Sequence, residues 1–180
     1  MSDPAFKNKP SLDNKDLFCY DLPSSPQPGI GTILVTGASG YIGGRLVPEL
    51  LARGYKVRVM VRSAISESST LWPGAEIAVA DALELGPLTK ALEGIDTAYY
   101  LLHSLQLGPK EFEAAEKKAA INFRLAAQEQ KIKRIIYLGG LGDVRSQLSA
   151  HLRNRIEIAK ELKRGTIPVT ILRAAVIVGS

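Results

Sequence analysis

The sequence predicts an α/β fold in which a doubly wound parallel sheet of about six strands carries helices on both faces. Short runs of β-branched and apolar residues alternate with segments of helical period over most of the chain. Near the start of this region, a strand, a glycine-rich turn and a helix follow one another directly. The apolar fraction of 46% and the charged fraction of 23% are ordinary for a globular protein, and 180 residues suffice for one domain.

The first strand, the first helix and the second strand follow from simple patterns. Residues 33–35 are an apolar, β-branched run of the kind that lies buried on both faces of a parallel sheet. The helix over 41–53 presents an apolar face at helical spacing, and Gly54 ends it. The second strand, over 56–61, has valine at every second position. The apolar face of the helix consists of Leu46, Val47, Leu50 and Leu51.

The remaining elements continue the alternation of strand and helix. Further strands are predicted at residues 75–80, 97–102, 134–138 and 169–172. Helices are predicted between them at residues 85–92, 111–130 and 149–164. The long helix has an apolar face formed by Phe112, Ala115, Ala119, Phe123 and Ala126. Because such units cross over with a right hand, we expect parallel strands and a ligand beyond their carboxyl ends.

Residues 1–29 are predicted to be a flexible arm, and residues 30–180 to be the folded domain. The arm contains five prolines among Ser, Asp and Lys, with no sustained period. An apolar group in the arm could dock on the body or on a second copy of the chain in a homodimer, or could stay disordered. It consists of Leu17, Phe18 and Tyr20. The chain ends in an apolar, strand-like run, so we expect a C-terminally truncated chain that lacks its substrate-binding part.

Charge and composition bear on the class of function. No apolar run approaches the roughly 18 residues of a membrane span, and the N-terminus lacks the apolar centre of a signal peptide. We therefore expect a cytoplasmic protein without a membrane partner. Cys19 is the only cysteine and His103 and His151 are the only histidines, so no metal site is expected. The net charge is +5, but Lys and Arg are interleaved with Glu, which favours an anionic small ligand over nucleic acid.

The glycine-rich turn between the first strand and the first helix predicts a phosphate site. Gly37, Gly40 and Gly43 are three residues apart. Such glycines allow a tight turn, a close approach of the backbone to a pyrophosphate, and close packing of the helix on the strand. The helix that begins near Tyr41 adds backbone N–H groups and the positive end of its dipole. The alternative is a turn of the same shape that binds no ligand.

The turn and several later residues resemble the short-chain dehydrogenase/reductase superfamily, in its extended and atypical branches. Residues 36–43, Thr-Gly-Ala-Ser-Gly-Tyr-Ile-Gly, match its Thr-Gly-x-x-Gly-x-x-Gly loop. Asp81 and Ala82 resemble its adenine-contacting acidic segment, and Asn122 resembles an asparagine of its long helix. Residues 169–173 resemble its sixth strand. The resemblance implies a Rossmann domain that binds NAD(P).

The resemblance and the topology place the cofactor at one edge of the sheet. The residues assigned to it are Gly37, Ser39, Gly40, Tyr41, Ile42, Gly43, Arg45, Arg62, Asp81, Ala82, Leu102, His103 and Gly139. Arg62 ends the second strand, where an NAD site usually has a carboxylate for the ribose 2′-OH. A guanidinium suits a 2′-phosphate and Arg45 could add a second charge, so NADP is expected in preference to NAD. Alternatively, Arg62 is an ordinary solvated strand end.

The catalytic residues of the superfamily are not all present. Its Tyr-x-x-x-Lys pair is absent from the helix over 149–164, where the matching positions hold His151 and Arg155. Gly139 and Gly140 stand where the superfamily has a serine. His151 could act as an acid or a base, and Arg155 could hold a phosphate or a carboxylate. The alternative is that His151 and Arg155 are both surface residues.

Two classes of function follow from these observations. In the first, the protein is an NADP-dependent oxidoreductase or a sugar-nucleotide epimerase-like enzyme, which moves hydride to or from a small carbonyl compound. In the second, it is a non-catalytic NADP-sensing module, like the nitrogen-metabolite-repression type of regulator. The missing Tyr-Lys pair favours the second class, and the frequency of oxidoreductases on this fold favours the first. The fold alone does not decide between them.

Overall fold

The computed structural model describes residues 19, 21–63, 71–103, 109–141, 149–175 and 177. Within these residues the chain forms six strands and four helices. The strands are β1 (Thr32–Val35), β2 (Val57–Val61), β3 (Glu76–Val79), β4 (Ile95–Tyr100), β5 (Arg134–Gly140) and β6 (Val169–Ala174). The helices are α1 (Tyr41–Ala52), α2 (Leu85–Ala91), α3 (Pro109–Glu129) and α4 (Ala150–Lys163). Among the described helices, none is long and apolar enough to cross a membrane.

The six strands are parallel and lie side by side in the order β3-β2-β1-β4-β5-β6. The order reverses between β1 and β4, and a doubly wound sheet binds its ligand in the crevice at the carboxyl ends of the strands at this point. The predicted doubly wound parallel sheet is therefore confirmed. Each predicted element lies within a few residues of its observed bounds.

The central strand β1 is buried on both faces. Ile33 and Val35 belong to the same apolar cluster as Val47 and Leu50 of α1. Leu34 points to the opposite face and belongs to the larger core beneath α2, α3 and α4. None of the three β1 side chains is more than 3% exposed. Burial on both faces explains why the strand is a continuous apolar run rather than an alternating one.

Helix α3 lies close to its neighbours because its buried face consists mostly of small residues. The fully buried alanines are Ala119, Ala120, Ala126 and Ala127. Phe123 stands between them and meets the ring of Tyr100 in β4 edge to face, with the ring centroids 4.9 Å apart. Arg124 of α3 forms an ion pair with the buried Glu161 of α4 at 3.1 Å. These contacts fix α3 and α4 against the half of the sheet that contains β4 and β5.

The segment before β1 contacts the C-terminal half of α1. The Cys19 N–H donates to the Glu49 carboxylate at 2.8 Å, and the Arg53 guanidinium donates to the Cys19 carbonyl at 2.6 Å. The flexible arm over residues 1–29 stays a prediction, since most of it lies outside the described residues. The apolar group of the arm also lies outside the described residues; it consists of Leu17, Phe18 and Tyr20.

Thr36 joins the ends of β1 and β4, where the strand order reverses. Its N–H donates to the Tyr99 carbonyl at 3.1 Å, and its hydroxyl donates to the same carbonyl at 3.0 Å. The hydroxyl also accepts from the Leu101 N–H at 3.0 Å. Thr36 is fully buried, so water cannot replace a lost partner. The Thr36 hydroxyl thus adds two hydrogen bonds to the pairing of β1 and β4, at the point where the crevice opens between them.

Replacing Thr36 by valine tests this link. Thr36→Val preserves the shape of the side chain but leaves the Leu101 N–H without its acceptor. An unsatisfied buried donor costs about 1–3 kcal/mol, so the free energy of unfolding should fall by about that amount. Urea unfolding followed by circular dichroism measures the change. Thr36→Ser keeps the hydroxyl, so its free energy of unfolding should fall by less. An equal decrease in the two variants would contradict the role of the hydroxyl.

Candidate functional site

The loop after β1 turns back on itself through Gly37. This residue has a φ of +63°, a backbone conformation that residues with a Cβ rarely adopt. A Cβ at this position would also lie 2.5 Å from the Leu101 carbonyl oxygen, just beyond β4. The Gly40 N–H then donates to the Gly37 carbonyl at 3.0 Å. The loop is therefore as compact as the predicted phosphate loop requires.

Helix α1 begins directly against this loop because Gly43 has no side chain. A Cβ on Gly43 would clash with the Gly37 carbonyl oxygen and would lie 2.6 Å from the Cα of Ala38. Gly40, by contrast, is exposed. Gly37 and Gly43 thus serve the turn and the packing, and Gly40 leaves a stretch of backbone that a ligand can approach.

The N-terminus of α1 can receive an anion. The N-cap residue Gly40 provides no side-chain acceptor, and the first turn contains no acidic residue. Ser39 and Tyr41 are exposed beside it, and Ile42 is half-buried. The first N–H groups of a helix have no acceptor within the helix, and its dipole adds partial positive charge there. The residues at this helix end fit the pyrophosphate of a dinucleotide.

Two arginines lie near the carboxyl ends of β1 and β2. The Arg45 guanidinium stands 4.6 Å from the centre of the Tyr41 ring, a cation–π contact that holds both side chains beside the loop. Arg62 is exposed and directly follows β2. Since β2 pairs with β1, with Val59 opposite Val35, Arg62 emerges at the same edge of the sheet as the loop.

Two hydrogen bonds fix the segment after β3. The Asp81 carboxylate accepts from the Leu83 N–H at 2.8 Å, which closes a short turn. The carbonyl of the buried Ala82 accepts from the Asn122 side chain at 3.0 Å. Asn122 therefore ties this segment to α3. Asp81 and Ala82 lie at the edge of the sheet at which the sequence places them.

Strand β5 continues beyond its predicted end and includes Gly139 and Gly140, which is a correction to the predicted boundary. These glycines pair with Arg173 and Ala174 of β6, a strand that is also longer than predicted. A Cβ on Gly140 would lie 2.7 Å from the Leu152 side chain of α4, so the absence of a side chain lets α4 lie close to the strand. Gly139 is a buried residue of the sheet rather than part of a loop beyond it.

A polar cluster joins the end of β4 to α3 and α4. His103 follows β4 and the half-buried Leu102, and its Nδ1 lies 3.2 Å from the Glu116 Oε1. The other oxygen of Glu116 accepts from Asn154 of α4. The rings of His103 and His151 meet edge to face, with their centroids 4.8 Å apart. We call His103, Glu116, His151 and Asn154 the histidine cluster.

The surroundings of His151 favour its neutral form. Burial lowers the pKa of His151 below its ordinary value of 6.5, and His103 and Arg155 lower it further, whereas Glu116 raises it. The residue nevertheless remains exposed on the surface. His151 is therefore largely neutral at pH 7 and accessible to a ligand.

Arg155 is bound to β5 by its side chain and by its backbone. Its Nη1 donates to the Leu138 carbonyl at 3.2 Å, and its own carbonyl accepts from the Tyr137 hydroxyl at 3.2 Å. Burial raises the pKa of Tyr137 to about 12, so this hydroxyl stays protonated and serves as the donor. Arg155 is thus a half-buried residue of the contact between α4 and β5, whereas His151 is exposed.

Sequence reasoning did not identify Glu116 or Asn154. Glu116 shares the helical spacing of Ala119 and Phe123, so a carboxylate on an otherwise apolar face was the signal available. Asn154 had no comparable signal, because its helix is polar on several sides. In the part of the chain that the structure describes, no group of three or more His, Cys, Asp and Glu side chains is arranged to hold a metal.

Two adjacent glycines of α1 provide a matched test of the loop. Gly43→Ala should lower the free energy of unfolding by about 1–3 kcal/mol or more, because its Cβ meets backbone atoms that cannot move aside. Gly44→Ala is the control, since its Cβ would lie 3.6 Å from the Ala38 carbonyl, an ordinary contact. Alanine favours helix over glycine by up to about 1 kcal/mol, so this variant should be as stable as the wild type or more so. Urea unfolding of both variants measures the difference. A Gly43→Ala protein as stable as the Gly44→Ala protein would contradict the packing role of Gly43.

Comparison with known proteins agrees with this geometry. A family model described as NAD(P)H-binding matches residues 37–178. A dihydroflavonol 4-reductase of Zea mays is 31% identical over 127 residues, which cover 63% of this chain and 36% of the reductase. The chain spans between about a third and two fifths of the length of curated relatives that it matches.

Solved structures share the fold. Triphenylmethane reductase of Citrobacter sp., complexed with NADP(H), superposes with a TM-score of 0.67 at 23% identity, covering 81% of this chain and 50% of the reductase. The Bordetella bronchiseptica enzyme WbmG, in complex with NAD, superposes with a TM-score of 0.68 at 19% identity, covering 82% of this chain and 54% of WbmG. The family match covers more than half of the chain, and the resemblance inferred from the sequence is confirmed. The chain therefore belongs to the NAD(P)H-binding family of Rossmann-fold proteins, within the short-chain dehydrogenase/reductase superfamily.

Proposed function

We propose that this protein is an NADP-dependent oxidoreductase, or a sugar-nucleotide epimerase-like enzyme, that acts on a small carbonyl compound in the cytoplasm. The observation that carries the proposal is the position of the histidine cluster. It lies at the carboxyl end of β4, against α3 and α4, on the other side of the crevice from the N-terminus of α1. A dinucleotide with its pyrophosphate at α1 can extend its nicotinamide towards that cluster.

The preference for NADP rests on Arg62. An NAD site usually has a carboxylate at the end of β2, and this chain has an exposed arginine there. A guanidinium forms charge-assisted, often bidentate hydrogen bonds with a phosphate. Of the two structural neighbours described above, one is complexed with NADP(H) and the other with NAD, so they favour neither cofactor. Arg45, beside the loop, supplies a second positive charge.

His151 is the proposed proton-transfer residue. When bound, the dinucleotide supplies or accepts the hydride. His151 then donates a proton to the carbonyl oxygen of the substrate as the alcohol forms, or accepts it in the opposite direction. Arg155 lies one helical turn further along α4 and is bound to the Leu138 carbonyl. It steadies the end of β5 and keeps positive charge near an anionic substrate group.

A non-catalytic NADP-sensing module is the second candidate. The observation that favours it is the pair His151 and Arg155 at the positions where the superfamily has Tyr-x-x-x-Lys. Both candidates require NADP binding, and only the first requires turnover. A screen of carbonyl compounds for NADPH oxidation tests whether the protein is an enzyme. The loss of NADPH absorbance is the readout. Turnover that depends on the carbonyl compound supports the oxidoreductase, whereas NADPH binding without turnover supports the sensing module.

Removing Arg62 tests the choice of cofactor. Arg62→Ala should weaken NADPH binding about tenfold to a hundredfold, the value of one or two charge-assisted hydrogen bonds, and should leave NADH binding nearly unchanged. Titration followed by the fluorescence of the reduced dinucleotides measures both affinities. Arg134→Ala is the matched control, because Arg134 is exposed at the amino end of β5, away from the crevice. Equal losses of NADPH and NADH affinity in Arg62→Ala would remove the case for phosphate recognition.

Removing the His151 imidazole tests proton transfer. His151→Phe should lower turnover by about a hundredfold or more and leave the affinity for NADPH nearly intact. Carbonyl reduction needs the protonated imidazole, and the pKa of His151 lies below 6.5. The wild-type rate of reduction should therefore rise as the pH falls towards that pKa, and the variant should lose this dependence. A pH–rate profile of both proteins measures it, and unchanged turnover in His151→Phe would end this assignment.

A further inference from the structure

Glu116 is a buried carboxylate on an apolar face of α3. It is 6% exposed and shares that face with Ala119, Ala120 and Phe123. Taking a carboxylate out of water is costly unless hydrogen bonds replace those of the water. Alanine, already frequent on this face, would serve helix packing without that cost. The position of Glu116 therefore indicates a role other than filling the core.

Two other elements supply hydrogen bonds to Glu116. The Nδ1 of His103, after β4, lies 3.2 Å from one carboxylate oxygen, and Asn154 of α4 donates to the other. Asn154 is only 8% exposed, so this bond lies inside the contact between α3 and α4. Because both oxygens are engaged, the carboxylate has a fixed orientation. It fixes the His103 ring in turn.

His103 passes this orientation on to His151. A carboxylate acceptor places the proton of a neutral His103 ring on Nδ1 and turns Nε2 away from Glu116. The ring of Phe112 also lies near the His103 ring, with the two ring centroids 6.1 Å apart. The His151 ring contacts the His103 ring, with the centroids 4.8 Å apart and an angle of 71° between the ring planes. The His151 ring thus packs against a neighbour whose own ring is hydrogen-bonded to a buried carboxylate.

We propose that Glu116 and His103 are positioning residues that hold His151 in place for proton transfer to and from the substrate. The charged and titratable groups that act on His151 are His103 after β4, Glu116 on α3, and Arg155 on its own helix. The proton transfer itself rests on the proposed function. The influence of Glu116 and His103 on His151 does not, because it requires neither cofactor nor substrate.

The neighbouring charges act on His151 in opposite directions. His103 and Arg155 lower the pKa of His151, and Glu116 raises it. Loss of the Glu116 charge should therefore lower the pH at which His151 titrates, and loss of the His103 imidazole should raise it. This Coulombic effect does not need an oriented ring, so the orientation of His151 is measured separately, from the nuclear Overhauser effect between the His103 and His151 rings, which Glu116→Gln should weaken.

NMR titration of the chain labelled with ¹⁵N in histidine tests this proposal, and the spectrum is simple because the chain has only two histidines. Glu116→Gln should lower the midpoint of His151, because it removes the negative charge that favours the protonated ring. Glu113→Gln is the matched control, since Glu113 is an exposed carboxylate one turn earlier on α3, and it should leave the midpoint in place. An unchanged His151 midpoint in a Glu116→Gln protein that unfolds like the wild type would overturn the proposal.

A second variant covers the case in which Glu116→Gln does not fold. The His103 side chain is 36% exposed, so His103→Gln disturbs the core less, and it leaves His151 as the only histidine. The midpoint of His151 should rise, and an unchanged or lower midpoint would overturn the proposal. Failure to bind NADPH or to reduce any carbonyl compound would count against the proposed function instead. In an active protein, Glu116→Gln should shift the pH–rate profile while the KM for NADPH stays the same.

Discussion

The close contact between the first turn of α1 and the loop after β1 is the constraint on which the site depends. Gly43 allows this contact because, without a side chain, its backbone can lie directly against the backbone of Gly37 and Ala38. The contact brings the first N–H groups of α1 to the carboxyl end of β1, where the strand order reverses. Thr36 secures the opposite side of the loop through its bonds to the residues that end β4. The nucleotide end of the crevice is therefore shaped mainly by backbone, and a side chain added at Gly37 or Gly43 would disturb it.

The fold could be predicted because its signals are local in sequence. An apolar run for β1, alternating valines for β2 and helical spacing in α1 each depend on the burial of one element against its immediate neighbours. The end of β5 is different, since it is decided by pairing with β6, which lies more than thirty residues later in the chain. A propensity-based boundary stops at the first glycine. The sheet continues through Gly139 and Gly140 because a neighbouring strand is available and α4 needs the space above them.

The two ends of the site differ in how far the sequence describes them. The glycine spacing of the loop is a local pattern with a definite physical reason, and the structure gives Gly37 and Gly43 the geometry that this reason requires. The histidine cluster is assembled from the end of β4, from α3 and from α4, whose residues meet only when the helices pack on the sheet. No spacing in the sequence links Glu116 to Asn154. A charged residue on an apolar helix face was the one visible sign, and it identifies a residue without identifying its partners.

The central claim is that the loop and the arginine after β2 hold a dinucleotide with a 2′-phosphate. Calorimetric titration of the purified chain with NADPH, NADP⁺, NADH and NAD⁺ tests it most directly, because it measures binding whether or not the protein turns over a substrate. We expect micromolar binding of NADPH and NADP⁺ and much weaker binding of NADH and NAD⁺. Absence of binding to all four would contradict the dinucleotide site, and equal affinities for the phosphorylated and unphosphorylated forms would contradict the role of Arg62.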